Sequence, residues 1–332
     1  MHMKRIRSVW QRWFGFLLRY CRRFSDFLPL ASVLSFVLAV TGTLLSALIL
    51  KLPLFENMFD AVAKGDDNVR TFLWDYAAFL GIWIVILLVM CRRPNRPMFQ
   101  LLKPKKNTLR HIALGILLGF GSNSFCVLMS ALMGDIKLYY AGVDDPWPLI
   151  AFIVFIFVQS GAEELMDRMY LYSKLRRRYK WAAVAILANS LVFALMHRGN
   201  DGFTFIAGTQ IFLVGLLFSL FMYWYDGLWI AMTYHAAWNF CQSVFFGLPN
   251  SGIVSSYSVF KLDAASAENG FFYNVDFGVE GSVGAVLLFV IEIAFVIFLN
   301  RNKPEKNDIW RQMDEKYEKN ENITSEETHE NI

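Results

Sequence analysis

Three clusters of polar residues interrupt otherwise apolar stretches of this sequence. The first is Gly161-Ala162-Glu163-Glu164-Leu165-Met166-Asp167-Arg168. On a helix Glu164 and Arg168 lie four apart on one face with the acid on the N-terminal side, the better order for an ion pair. Glu163 is turned from Glu164 by about 100°, so it competes poorly for that guanidinium. Glu164 is expected to be the structural acid tied to Arg168, and Glu163 the acid free to act as a base. The plainer alternative is a cluster that only holds helices together. The second cluster is Phe193-Ala194-Leu195-Met196-His197, in which Phe193 and His197 share a face. The third is His235-Ala236-Ala237-Trp238-Asn239, with a histidine and an amide aimed at one point. The small Ala236 and Ala237 suit a position where a neighbouring helix comes close.

If they converge, these residues supply a carboxylate, two imidazoles and an amide donor. Such a set suits attack by an activated water on a carbonyl carbon. The carboxylate accepts the proton with help from one histidine, and the second histidine and the amide stabilise the oxyanion. Glu163, His197 and His235 are equally the candidate ligands of a divalent metal such as zinc that carries the water. The HExxH signature is absent, as is any Ser-His-Asp or Cys-His arrangement, and Ser190 has no supporting motif.

The elements that must position these groups are membrane spans. Of 332 residues 56% are apolar and only 18% charged, whereas soluble domains are about a quarter charged. That excludes a disordered chain, a disulfide scaffold and an ordinary soluble enzyme. Cys21, Cys91, Cys126 and Cys241 form no CxxC pair, and nothing in the charge pattern suggests nucleic acid. The expected fold is all-α: a polytopic transmembrane helical bundle of about eight spans near 28–50, 72–91, 111–133, 147–173, 181–197, 203–224, 228–249 and 282–300. The fourth is longer than a bilayer needs and is expected to project or tilt. Residues 1–27 form a basic amphipathic segment, 28–300 the membrane domain with its motif-bearing core at about 147–255, and 301–332 a polar tail expected to be a short helix around Trp310 followed by disorder.

Lys and Arg are divided 25 to 6 between the two sets of connections, with Arg168 aside inside a span, which predicts both termini on the cytoplasmic side. Ionisable residues within the spans are costly and mark function by default; here they are Asp75, Glu163, Glu164, Asp167, Arg168, His197, His235 and Glu292. Counting about 1.5 Å per residue from the span ends sets Glu163, His235 and His197 at depths of roughly 16, 12 and 24 Å. Tilt can close that spread.

In this order, the three clusters resemble the EExxxR, FxxxH and HxxxN motifs of the CPBP family. These are intramembrane peptidases that include type II CAAX prenyl endopeptidases and bacteriocin-processing or immunity (Abi-like) proteins. The stretch from Phe246 to Ile253 is also similar to the family, and the resemblance covers about 147–255. It implies a multi-pass protease, expected in a bacterial plasma membrane, acting on a membrane-anchored peptide or protein. By similarity Glu163 activates water with His197, His235 and Asn239 form the oxyanion site, and Glu164, Arg168 and Phe193 support them. Whether a metal takes part is left open. Met169 stands where many members have Gly. Two other readings remain: a non-catalytic immunity or scaffold protein of this fold, and a proton-coupled transporter using Asp75, Glu163, Glu164 and Glu292. Substrate identity and oligomeric state are not legible.

Overall fold

A computed structural model describes residues 24–103, 108–179, 181–255 and 257–303. The expected amphipathic segment of residues 4–23 and the tail helix around Trp310 lie outside these residues.

Seven helical runs are long and apolar enough to cross a bilayer. The first is α1 (Leu28–Ile49). A short α2 (Pro53–Ala63) leads into α3 (Asp67–Ala77) and α4 (Leu80–Met90), which together make the second run. The third is α5 (Leu109–Met133). The fourth is α6 (Pro146–Glu164), which continues through a π-helical segment, Leu165–Tyr172, into α7 (Ser173–Arg178). The others are α8 (Ala182–Met196) with its terminal turn, α9 (Phe205–Tyr225) and, after the inner helix α10 (Leu228–Phe240), α11 (Val283–Asn300). The fourth run spans 33 residues, Pro146–Arg178, longer than the roughly 20 a bilayer requires.

Among the described residues seven runs meet this length and apolarity, one fewer than the eight expected. The apolar stretch at 228–249 folds as α10, only 13 residues, followed by a π-helical turn, Cys241–Phe245, and a chain reversal at Gly247. Nearly every residue of α10 is buried, so it is an inner helix sheathed by its neighbours. All-α also needs a small correction: β1 (Leu138–Tyr140) and β2 (Phe260–Leu262) pair antiparallel, Tyr139 opposite Lys261, and tie two long connections together.

Helix starts follow local chemistry. Asp66 caps α3 by accepting from the Asn68 and Val69 amides, Thr204 accepts from Ala207 at α9, and Ser282 from Ala285 at α11. Pro146 in the first turn of α6 follows Asp145, which accepts from the Trp147 amide. The outer faces stay apolar: Val33, Phe36, Val37, Val40, Leu44 and Leu48 project from α1, and Ile291, Phe295 and Phe298 from α11. With the buried side lined by small residues, contact between helices rests on close approach rather than on hydrophobic burial. A Cβ on Gly119 of α5 would stand 2.1 Å from the Tyr234 carbonyl of α10. Gly81 of α4 packs so tightly on α1 that its amide donates to Ser46 Oγ at 2.6 Å.

One end of the bundle is clamped by charge. Asp26, just before α1, accepts from Arg177 Nε at 2.6 Å and Nη2 at 2.8 Å, with Lys174 Nζ 3.4 Å away. Arg177 Nη1 also donates to the Pro94 carbonyl, so the start of α1, the loop after α4 and the end of α7 meet. Burial opposes ionisation of Asp26, but the hydrogen bonds and charge of Arg177, with Lys174 behind, outweigh it and hold the carboxyl below its ordinary 3.8.

Candidate active site

The three motifs converge although their counted depths differed. Glu163 and Glu164 end α6, His197 follows the last residue of α8, and His235 and Asn239 sit one turn apart on α10. The tight fit of α10 against α5 and the wider turns of the π-helical segment after Glu164 bring them together. Such segments occur mostly within α-helices at functional sites.

The two acids occupy different surroundings. The Glu164 side chain is fully buried and bound on two sides. Its Oε2 lies 3.2 Å from Arg168 Nε, and its Oε1 accepts from Arg168 Nη1 at 3.2 Å and from His235 Nδ1 at 3.0 Å. Arg168 is equally enclosed: it donates weakly to the Gly215 carbonyl and lies over the rings of Phe193, 4.4 Å to the centroid, and Phe218, 5.3 Å. Glu163 keeps some exposure, 13% against 0% for Glu164. Its Oε1 accepts from Gln159 Nε2 at 2.7 Å, and its Oε2 has no hydrogen-bond partner.

Both histidines present Nε2 to that open oxygen, His235 at 3.7 Å and His197 at 3.9 Å. His197 Nδ1 lies 2.9 Å from the Phe193 carbonyl. A carbonyl only accepts, so Nδ1 carries a proton and Nε2 is the ring atom left facing the cavity. His235 Nδ1 likewise donates to the Glu164 carboxylate. Phe193 touches both rings edge-on, centroids 4.7 Å from His197 and 6.1 Å from His235. One side chain therefore packs against both imidazoles and the guanidinium. Asn239 Nδ2 donates to Gln159 Oε1 at 3.2 Å and Ser160 Oγ at 3.3 Å. Its amide is occupied here and must turn to meet a new acceptor.

Gln159, Glu163, Phe193, His197, His235 and Asn239 line a cavity of about 320 Å³ together with Thr43 of α1, Asp75 of α3, Met196, Ile211, Val214 and Trp238, while Glu164 and Arg168 lie behind it. Separations of 3.7 and 3.9 Å between Glu163 and the imidazoles exceed the roughly 3.4 Å between donor atoms around a tetrahedral zinc. Among the described residues no group of three His, Cys, Asp or Glu side chains is arranged to hold a metal ion. The residues in this arrangement do not fit the metal, and no chemical step is derived through one.

The other intramembrane acids divide. Asp75 and Asp167 line the cavity. Glu292 of α11 instead accepts from Ser122 of α5 and from Tyr234 Oη at 2.8 Å, a polar lock behind α10. Met169 is buried in the core beside α1 and α4 and does not line the cavity. Sequence reasoning missed Gln159, which bridges Asn239 to Glu163; its place four residues before Glu163 was the available signal. It also missed Glu280, which accepts from Trp238 Nε1 at 3.0 Å and from the Ser251 amide and hydroxyl at 2.9 and 2.7 Å. Burial pushes the Glu280 carboxyl above its ordinary value despite these donors. Nothing in a long connecting loop singles out that residue.

Residues 145–241 match the family model described as Type II CAAX prenyl endopeptidase Rce1-like. That stretch holds Glu163, Glu164, Arg168, Phe193, His197, His235 and Asn239, every residue of the three motifs. No curated protein and no solved structure gave a match. Between α6 and the end of α10, where the two acids and two imidazoles meet, the chain carries an Rce1-like domain of the type II CAAX prenyl endopeptidase (CPBP) family.

Proposed function

We propose that the chain is an intramembrane endopeptidase that hydrolyses a peptide bond of a membrane-anchored protein or peptide. The reading rests on one observation above all: two imidazole nitrogens, each with its other nitrogen already engaged, face a carboxylate oxygen that has no partner of its own.

A water held there donates one hydrogen to Glu163 Oε2 and the other to His197 Nε2. Glu163 removes the first proton as the water oxygen bonds to the carbonyl carbon, and the carbonyl π electrons move to its oxygen. His235 stabilises that oxyanion only as the imidazolium, with Nε2–H aimed into the cavity, and the Glu164 carboxylate against Nδ1 supports this charge. Asn239 turns from Gln159 and Ser160 to donate as well. Collapse breaks the C–N bond, and Glu163 returns the proton to the leaving nitrogen. Protein substrates follow from the family's description; the 25-to-6 division of basic residues supports cytoplasmic termini, which needs an even number of passes and so counts α10 with its π-helical turn as the eighth.

The test is cleavage of a panel of acyl- and prenyl-anchored ten-residue peptides by purified protein in vesicles. Glu163→Gln and His197→Ala, shown to fold like the parent, are expected to lose about 100-fold or more. Parent-level cleavage by either variant refutes the assignment. Failure of the parent to cut any peptide turns the reading toward a non-catalytic protein of this fold.

A further inference from the structure

The cavity holds more buried polar groups than the chemistry above uses. Asp167 is fully buried, and neither carboxylate oxygen has a hydrogen-bond partner; the nearest cation atom, Arg168 Nη1, is 4.0 Å from Oδ2. Gln210 of α9 is 1% exposed, and both its amide nitrogen and its oxygen are unpartnered. Both side chains line the same cavity as Glu163. Native proteins leave few such atoms unsatisfied, and each one calls for an explanation.

We propose that Asp167 and Gln210 form a substrate subsite that hydrogen-bonds the backbone of an extended peptide beside the scissile bond. The inference rests on the peptidase reading and deepens it. A carboxamide offers one donor group and one acceptor, the complement of a peptide group's C=O and N–H. Asp167 supplies acceptors for a second backbone N–H. Ile211, Val214, Met166 and Phe193 line the same space with apolar surface, as an extended apolar segment requires. Asp167 follows Glu163 by four residues, the last three in the π-helical segment, so it lies just under one turn on and at most roughly 6 Å along the axis. An extended chain advances about 3.4 Å per residue, which sets the contacted amides within two residues of the bond that Glu163 addresses. No protein group among the described residues satisfies these atoms, so the pocket trades stability for recognition.

The trade supplies a test that does not depend on cleavage. Binding of the fluorescently labelled anchored-peptide panel is measured in vesicles for Glu163→Gln protein, alone and with Gln210→Met or Asp167→Asn added. Thermal unfolding of each ligand-free protein is followed in parallel. Gln210→Met is expected to raise the midpoint of ligand-free unfolding and to weaken peptide binding about tenfold, the worth of a hydrogen bond to a buried group. N-methylating successive backbone amides of the peptide should cause a similar loss at one or two positions, and that loss should vanish in the Gln210→Met or Asp167→Asn protein. Lowered unfolding with unchanged binding identifies the atoms as seats for fixed water and overturns the proposal. So does N-methyl sensitivity that persists in both variants, or no binding by any peptide. Binding that follows this pattern in a parent that cuts nothing sinks the peptidase reading and leaves the subsite standing. Cleavage indifferent to both substitutions does the reverse.

Discussion

Replacing Glu164 by Gln separates the two duties of the buried acid. The substitution keeps the side chain's shape and removes its charge, leaving the Arg168 guanidinium enclosed. That cation falls back on Asp167 at 4.0 Å, the Gly215 carbonyl at 3.4 Å and the rings of Phe193 and Phe218. Removing one partner of a buried pair costs about 3–5 kcal/mol because the other charge stays behind. The fallback contacts point to the lower end, about 3 kcal/mol. Removing the cation as well, in Glu164→Gln with Arg168→Met, takes away the cause, and stability should return to within about 1.5 kcal/mol of the parent. Cleavage should not return, because His235 Nδ1 still lacks the carboxylate that supports its imidazolium. The assay is chemical unfolding of the four proteins of the cycle in detergent micelles, followed by tryptophan fluorescence, with peptide cleavage alongside. A coupling energy below about 0.5 kcal/mol refutes the ion-pair assignment. Full cleavage by the double variant refutes the role of Glu164 in setting the state of His235.

Other perturbations reach the site from a distance. Gly119→Ala places a methyl 2.1 Å from the Tyr234 carbonyl; it should cost about 1–3 kcal/mol and lower cleavage by displacing His235, both read on one preparation. Asp26 has a depressed carboxyl, so its stabilising share is complete above the ordinary value of 3.8 and is lost as pH falls below it toward the folded value. Unfolding of Asp26→Asn measured from pH 5 downward should therefore lack the parent's acid-induced decline over that window. Phe193→Ala removes the ring that packs against His197, His235 and Arg168; it should destabilise by about 3–5 kcal/mol, and cleavage should fall beyond the loss of folded protein.

The polar cluster was more legible than the architecture. Charged residues are so disfavoured in a bilayer that Glu163, Glu164, Arg168, His197 and His235 stand out without a structure, and the four-residue spacing pairs Glu164 with Arg168 correctly. The enclosure of one helix was not legible, because an apolar run looks the same whether it faces lipid or is enclosed by other helices. The run at 228–249 is α10 with its π-helical turn to Phe245, buried on nearly every side. The convergence was hidden for a related reason: counts from span ends assume one rise per residue, and the π-helical turns after Glu164 and Phe240 break it. Gln159 and Glu280 escaped notice because a glutamine in a span and an acid in a loop carry no penalty that flags them.

The acids and the end clamp share one continuous helical run. Glu163 and Arg177 are separated along it by the π-helical segment Leu165–Tyr172, and that segment sets their angular phase. One residue removed there can be absorbed as the wide π turns tighten to α turns, whereas one residue added leaves the acids where they are, rotates all that follows by about 100° and pushes it out by about 1.5 Å. Arg177 then faces away from Asp26. Apart from Asp167 and Arg168, the quantity under constraint in this stretch is the number of residues more than their identity. An insertion and a deletion placed together within 169–172 should yield a protein that inserts and folds, where the insertion alone does not.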